Sequence, residues 1–354
     1  MRLINFPVIK ERRLRIGLVG CGRISQNHFA SILQYPEDLE LAAVCDIDGE
    51  ALKKAKAKYN VQGYTELKDM LITEALDMVV LCTPSGLHPS QAILAAEHGV
   101  HVVSEKPMAT RYKDGLRMVQ ACDEAGVRLF VVKQNRRNAT LQLLKRAIDE
   151  KRFGAIKMVH LNVFWTRPQE YYDHGQGWRG TWEFDGGAFM NQASHYADLV
   201  EWLIGPVERV QAMMSTTRDI EAEDTGVVNI KWRNGALGSM AVTMLTYPKN
   251  LEGSIAILGE TGSVKIGGVA VNEIQTWDFA DQRDYDAEVK SANYETTSVY
   301  GFGHPLYYRN IIDVMRGTAE PETDGREGLK SLEFLTAAYM AARDGGSVGL
   351  PLHF

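Results

Sequence analysis

The chain is 354 residues long, with 45% hydrophobic residues, 24% charged residues and a formal net charge of −6. That length allows two domains with an ample core, and the composition is ordinary for a soluble globular protein. The acidic balance argues against nonspecific nucleic-acid binding; an anionic ligand would need a locally basic pocket. No stretch approaches the roughly 18 apolar residues of a membrane span, and the opening MRLINFPVIKERRLR has no apolar signal-peptide core. The four cysteines, Cys21, Cys45, Cys82 and Cys122, form no CxxC or metal-like spacing, and there is no Cys/His cluster to suggest a metal. A reduced, cytoplasmic protein is expected, with no disulfide, no metal and no nucleic-acid or membrane partner.

Along the chain, short apolar runs at 15–20, 40–45, 77–82, 100–104 and 127–132 alternate with helical spacing at 48–59, 65–72, 88–98 and 111–125. Such alternation predicts βαβ units around a parallel sheet buried on both faces, which right-handed crossovers turn into a doubly wound domain. From about residue 155 the pattern changes. Long strand candidates cover 155–165, 207–217, 224–245 and 254–268, with tight turns at Asn234-Gly235 and Thr261-Gly262. They predict a mainly antiparallel sheet, interrupted by a long helix over 187–204 and followed by helices near 304–316 and 326–343. The polar segment 278–297 reads as an exposed loop. The fold class is thus α/β plus α+β: a dinucleotide-binding domain over 1–134, then a substrate-binding and oligomerisation domain over 135–354, with the closing helices packing back toward the first.

Residues 16–25, IGLVGCGRIS, carry the first chemistry. Gly20 permits a sharp strand-to-helix turn, and Gly22 lets backbone N–H groups approach a diphosphate at a helix N-terminus. Arg23 and Ile24 belong to the same loop. Ser25 stands where a third glycine is usual, and is small enough for close helix–strand packing. Asp46 ends the next strand, 24 residues after Gly22, near the roughly 20 expected for the acidic partner of an adenosine ribose. Its carboxylate accepts from both ribose hydroxyls and repels a 2′-phosphate, which favours NAD over NADP; Asp48 suits the helix N-cap.

Two further strand ends point at the same crevice. One is Cys82-Thr83-Pro84-Ser85-Gly86-Leu87-His88, from which Thr83, Pro84, Ser85 and His88 are cofactor candidates. The other is Glu105-Lys106-Pro107, where the proline ring stiffens the backbone that carries the lysine. Lys106 can donate to a substrate hydroxyl and place positive charge where an alkoxide develops. Asn135, in KQNRRN after the last apolar run, joins the cofactor set.

GCGRIS, CTPSGLH and EKP together resemble the glucose–fructose oxidoreductase / inositol dehydrogenase family of NAD(P)-dependent sugar oxidoreductases, over nearly the whole chain. The resemblance implies a Rossmann domain followed by an open antiparallel sheet whose free face forms dimers or tetramers. It places Lys106 beside the nicotinamide and the reacting carbinol, with Glu105 supporting the loop, and implies a cis Lys106–Pro107 bond. The family pattern GG-x-x-x-D-x-x-x-H-x-x-D falls on Gly186, Gly187, Asn191, His195 and Asp198; Asn191 departs from it, replacing an aspartate by an amide that takes no proton. On a regular helix Asn191 and His195 share one face. His195, with a reference pKa of ~6.5, is the candidate base, and Lys106 is the electrostatic and orienting group, the reverse assignment staying open. Arg136 and the segment FWTRPQEYYDHGQGWRGTW, with Arg167, Tyr171, Tyr172, Trp178 and Arg179, suit an anionic sugar ligand. They are similar to one branch, the UDP-N-acetylglucosaminuronate 3-dehydrogenases of bacterial surface-polysaccharide synthesis, some of which reoxidise bound nucleotide with 2-oxoglutarate. The alternatives are a myo-inositol or other sugar dehydrogenase of the same family, and a non-catalytic NAD-binding sensor.

Overall fold

The computed structural model describes residue 6 and residues 8–174, 177–296 and 303–353. The chain divides into two compact units, one running to Lys133 and including His304–Leu329, the other comprising Gln134–Gly303 and Lys330–Phe354.

The first unit is built on six parallel strands: β1 (Leu14–Val19), β2 (Leu39–Cys45), β3 (Gln62–Tyr64), β4 (Met78–Leu81), β5 (His101–Ser104) and β6 (Leu129–Val131). Their order, β3-β2-β1-β4-β5-β6, is that of a dinucleotide-binding sheet, which reverses direction between β1 and β4. The central strands are buried along their length, as a sheet covered on both faces requires. Helices α1 (Ser25–Gln34), α2 (Gly49–Tyr59), α3 (Leu67–Thr73), α4 (His88–Glu97) and α5 (Tyr112–Ala125) make the crossovers. Strand β3 is three half-exposed residues at the sheet edge, and no apolar run announces it.

In the second unit, helix α6 (Ala139–Asp149) leads to β7 (Ile156–Phe164), then α7 (Gln169–Asp173) and α8 (Ser194–Ile204). Seven more strands follow: β8 (Val207–Ser215), β9 (Thr225–Trp232), β10 (Leu237–Thr243), β11 (Glu252–Gly259), β12 (Gly262–Gly267), β13 (Glu273–Phe279) and β14 (Ser347–Gly349), with α9 (Val289–Ala292) after β13. The eight strands form one sheet in the order β13-β12-β11-β7-β10-β9-β8-β14. Neighbours are antiparallel except β7 and β10, which run parallel. Burial alternates along β9, so one face lies on the core and the other outward. Met158, Met213, Val227, Leu237 and Leu258 remain exposed.

Two closing helices, α10 (His304–Met315) and α11 (Gly325–Asp344), follow. In the first unit α10 packs on α1: Tyr307, Tyr308, Ile311 and Ile312 share a core with Phe29 and Ile32.

Two expectations are corrected. The segment 278–297 is not a free loop through its described residues: β13 extends to Phe279, and Arg152 bonds Asp281 and Asp286 to hold the following turn. The helix expected over 187–204 is two elements. Ala188–Gln192 is a wide π-type turn and α8 begins at Ser194, so Asn191 and His195 do not lie one turn apart on a single α-helix.

Candidate active site

In the first unit the site is made by three strand ends. Gly20, at φ +87°, turns the chain out of β1, and a Cβ there would come within 2.8 Å of the Cys82 carbonyl. Only glycine fits both demands. A Cβ on Gly22 would meet no protein atom, so packing does not account for that glycine. Ser25 is fully buried at the start of α1, and its Oγ donates to Gly22 O at 2.6 Å, a bond glycine could not make. Arg23 is exposed and Ile24 half-buried on the same loop. Asp46 accepts the Cys21 N–H at 2.6 Å on one oxygen and the Asp48 N–H at 2.8 Å on the other. A carboxylate has about four acceptor positions, so two remain for ribose hydroxyls. Asp48 caps α2, accepting from Glu50 N and Ala51 N. A groove lined by Cys21, Gln26, Asp48 and Tyr59 runs beside this loop.

The second and third strand ends are tied to each other. His88 is buried, with Nε2 2.9 Å from Thr83 O and Nδ1 3.0 Å from Pro107 O, and burial holds its pKa below the ordinary value. The ring is wedged between the two loops; in its neutral form it carries one N–H and donates to one of these carbonyls while lying against the other. Thr83 Oγ1 donates to Gln91, Pro84 is half-buried, and Ser85 is buried. The Lys106–Pro107 bond is cis, as the family resemblance implies. Beneath it Glu105 is 4% exposed, and its Oε2 accepts the Lys106 N–H at 3.0 Å. His28 Nε2 lies 2.9 Å from Glu105 Oε1, His304 Nε2 lies 3.5 Å from the same oxygen, and Tyr308 Oη is 2.8 Å from His28 Nδ1. Burial pushes the Glu105 carboxyl up, but the hydrogen bonds and field of His28 and His304 outweigh it and hold the group well below the usual carboxylate range. Two imidazoles and a carboxylate are also a donor set that metals use, but these spacings are those of a hydrogen-bonded network. The sequence shows no sign of this cluster, because its members come from α1, the end of β5 and α10.

In the second unit His195, 5% exposed, sits in the first turn of α8. Its Nε2 is 2.9 Å from Gln134 Nε2; the amide donates and the ring nitrogen accepts, which puts the ring proton on Nδ1. Asn135, the neighbour of Gln134, is buried, and its Oδ1 has no partner among the described residues. Asn191 Nδ2 donates to Asp185 Oδ1 in a short contact, and the other oxygen of Asp185 accepts the Gly180 N–H at 2.8 Å. A buried carboxylate thus stands beside the amide that replaces the family's aspartate. The π-type turn under Asn191 is held by Glu223, whose Oε1 accepts from Phe189 N–H at 2.9 Å and from Tyr339 Oη at 3.0 Å; Tyr339 Oη accepts in turn from Met190 N–H. Gly187 is required here because any Cβ would overlap the Glu223 carboxylate.

The arginine and aromatic segment forms one cluster. Tyr171 lies between two guanidiniums, Arg179 at 4.4 Å and Arg167 at 5.4 Å from its ring, and Tyr172 packs edge-on against it. Arg179 also lies over Trp178, and its Nη1 donates to Tyr171 O. Gln192 joins this cluster to the π-type turn, accepting from Arg167 Nε and donating to Tyr171 Oη. Arg136 is also tied into the fold. Its guanidinium forms a buried bidentate pair with Asp198, both bonds 2.7 Å, and lies over Trp202, so two of its donors are committed within the fold.

The comparisons agree with this architecture. Residues 14–133 match an oxidoreductase family's NAD-binding Rossmann fold, and residues 145–350 match the same family's C-terminal alpha/beta domain. The WlbA dehydrogenase of Bordetella pertussis, solved with NADH and UDP-GlcNAcA, is 64% identical, with a TM-score of 0.95 over 98% of this chain and 100% of that one. That of Chromobacterium violaceum, solved with the same two ligands, is 63% identical at a TM-score of 0.95, covering 99% and 100%. The D-apiose dehydrogenase of Paraburkholderia graminis is 27% identical across 99% of this chain and 93% of its own length. The chain therefore belongs to the glucose–fructose oxidoreductase / inositol dehydrogenase family of NAD-binding oxidoreductases.

Proposed function

We propose that this protein oxidises the C3 hydroxyl of UDP-N-acetylglucosaminuronate to the 3-keto sugar with NAD+, supplying a keto sugar for bacterial surface-polysaccharide synthesis. The observation that carries the reading is the 64% identity, over nearly the full length, to a dehydrogenase whose structure holds NADH together with that sugar nucleotide. The cluster of Arg167 and Arg179 around Tyr171 supports it, because it supplies cationic and aromatic recognition for an anionic sugar on a net-acidic chain.

When bound, NAD+ accepts the hydride that leaves the carbinol carbon. Gly20, Gly22, Asp46 and the loops after β4 and β5 are the proposed cofactor cradle. His195 is the proposed base for the hydroxyl proton, its Nε2 lone pair becoming available when the Gln134 N–H that it accepts in this structure turns away, and Lys106 is the proposed positive charge beside the developing alkoxide. Asn191 orients a sugar hydroxyl. Homo-oligomerisation through the outward sheet face is supported by the exposed Met158, Met213, Val227, Leu237 and Leu258. Four free, buried cysteines favour a reducing cytoplasm.

The test is absorbance of reduced nicotinamide with a panel of UDP-sugars and free polyols. Turnover of UDP-N-acetylglucosaminuronate is expected; turnover of inositol with none of the UDP-uronate would overturn the substrate assignment. Adding 2-oxoglutarate to the same assay tests recycling: sustained turnover without added NAD+ is the result expected if the nucleotide stays bound.

A further inference from the structure

We propose that Arg179 and the phenolic O–H of Tyr171, aimed by Gln192, form a carboxylate subsite that selects the uronate of the sugar nucleotide. The inference rests on the substrate reading above. It divides the arginine and aromatic segment into a binding half and a supporting half.

Donor counting makes the division. A guanidinium carries five N–H donors and no acceptor. Arg167 is bound into the fold, with Nε donating to Gln192 Oε1 at 3.0 Å and Nη1 to Thr166 O at 2.7 Å. Arg179 makes one hydrogen bond, from Nη1 to Tyr171 O at 2.8 Å. Its Nε is buried without a partner, and no carboxylate pairs with the group among the described residues. The guanidinium lies 4.4 Å from the centre of the Tyr171 ring and 5.2 Å from that of Trp178. Two aromatic rings thus hold the cation in place without neutralising it. A buried N–H left without an acceptor is costly, and a bound anion removes that cost.

Gln192 sets the direction of the Tyr171 hydroxyl. Arg167 Nε can only donate, so Gln192 turns its Oε1 toward it, which leaves Nε2 to face the Tyr171 oxygen 3.1 Å away. That oxygen therefore accepts. Its own hydrogen points away from Gln192 and has no acceptor among the described residues. Tyr171 and Arg179 are both half-buried, open to a ligand on one side. Gln192 closes the π-type turn that leads to His195, which assigns the subsite to the sugar end of the ligand. One uncommitted guanidinium and one neutral O–H match the single charge and two oxygens of a carboxylate, whereas a diphosphate carries twice that charge.

The experiment compares the KM of UDP-N-acetylglucosaminuronate with the inhibition constant of UDP-N-acetylglucosamine, which has a hydroxymethyl group in place of the carboxylate. For the acid, KM is expected to rise about tenfold or more in Tyr171→Phe and about a hundredfold in Arg179→Met, with kcat within about threefold of wild type. The inhibition constant of UDP-N-acetylglucosamine is expected to stay within about twofold. Equal rises for both compounds would place the diphosphate on Arg179, and unmoved KM values would leave no ligand there; either overturns the subsite. Gln192→Glu keeps an oxygen for Arg167, whose charge balances the new carboxylate, but accepts from Tyr171 and turns its O–H inward. Its KM should match that of Tyr171→Phe, and the double variant should lie within about twofold of either. Losses that multiply would show Gln192 acting by another route and overturn its part. NADH affinity, read by fluorescence, is expected to be unchanged, which a misfolded chain would not allow. If Arg179→Met does not fold, Tyr171→Phe decides, since it keeps the ring that packs on both guanidiniums. A wild type that does not turn over the acid sinks the substrate reading and the subsite with it; turnover with unmoved KM in the variants sinks the subsite alone.

Discussion

Replacing Glu223 with glutamine should make the protein more stable in mild alkali and leave it nearly unchanged in acid. Glu223 is 3% exposed, and burial raises its pKa from 4.5 to about 7, against the opposing hydrogen bonds from the Phe189 N–H and Tyr339. Below about pH 4.5 both the folded and the unfolded chain hold the proton, and the group costs nothing. Between 4.5 and 7 the unfolded chain releases it while the fold retains it, so stability falls as pH rises; above about 7 the fold carries a buried anion at full cost. A displacement from 4.5 to about 7 corresponds to roughly 3 kcal/mol at ~1.4 kcal/mol per pH unit. Glutamine keeps an Oε1 that can accept from both Phe189 N–H and Tyr339 Oη, so most of that should appear as a gain. Urea unfolding of the two proteins at pH 4.5 and pH 8 checks this. The variant should match wild type at pH 4.5 and exceed it by about 2–3 kcal/mol at pH 8. An equal difference at both pH values would refute the reasoning, since it would show that the carboxyl does not titrate in the fold.

Arg136→Ala leaves Asp198, 4% exposed, without its bidentate partner, and should cost about 3–5 kcal/mol in unfolding free energy. The double variant with Asp198→Asn should recover much of the loss in the same measurement. Asp46→Asn removes one acceptor charge from the loop that binds Cys21 N–H and Asp48 N–H, and should raise the KM for NAD+ by about tenfold or more while narrowing its advantage over NADP+; steady-state kinetics with the two nucleotides is the check.

What the sequence discloses follows from how far each element's causes lie apart. β1, β4 and β5 are legible because both faces are covered, so the apolar run is nearly continuous. β3 is not, because three half-exposed residues at an edge need no apolar run. The loops at Gly20, Asp46 and Lys106 are local devices, visible as spacing from the strand that precedes them. The π-type turn at Ala188–Gln192 is not local. Glu223 holds it from 34 positions away and Tyr339 from 149, and nothing in GGAFMNQ distinguishes it from the start of an ordinary helix. The pairing of Arg136 is hidden for the same reason, since Asp198 lies 62 residues on.

That turn also links the arginine and aromatic segment to His195. Asn191 reaches to Asp185, whose second oxygen takes the Gly180 N–H and so fixes the backbone just after Arg179. Gln192, the next residue, reaches to Arg167 and Tyr171. Two consecutive side chains therefore grip both ends of the arginine and aromatic segment, while the backbone they share leads within three residues to His195. The amide at 191 gives up a proton-carrying group, yet it gains two fixed N–H donors and can bond Asp185 without placing two carboxylates side by side. An aspartate there would have repelled Asp185 and loosened the loop that carries Arg179. Consecutive side chains of one turn thus tie the proposed base to the arginine and aromatic segment.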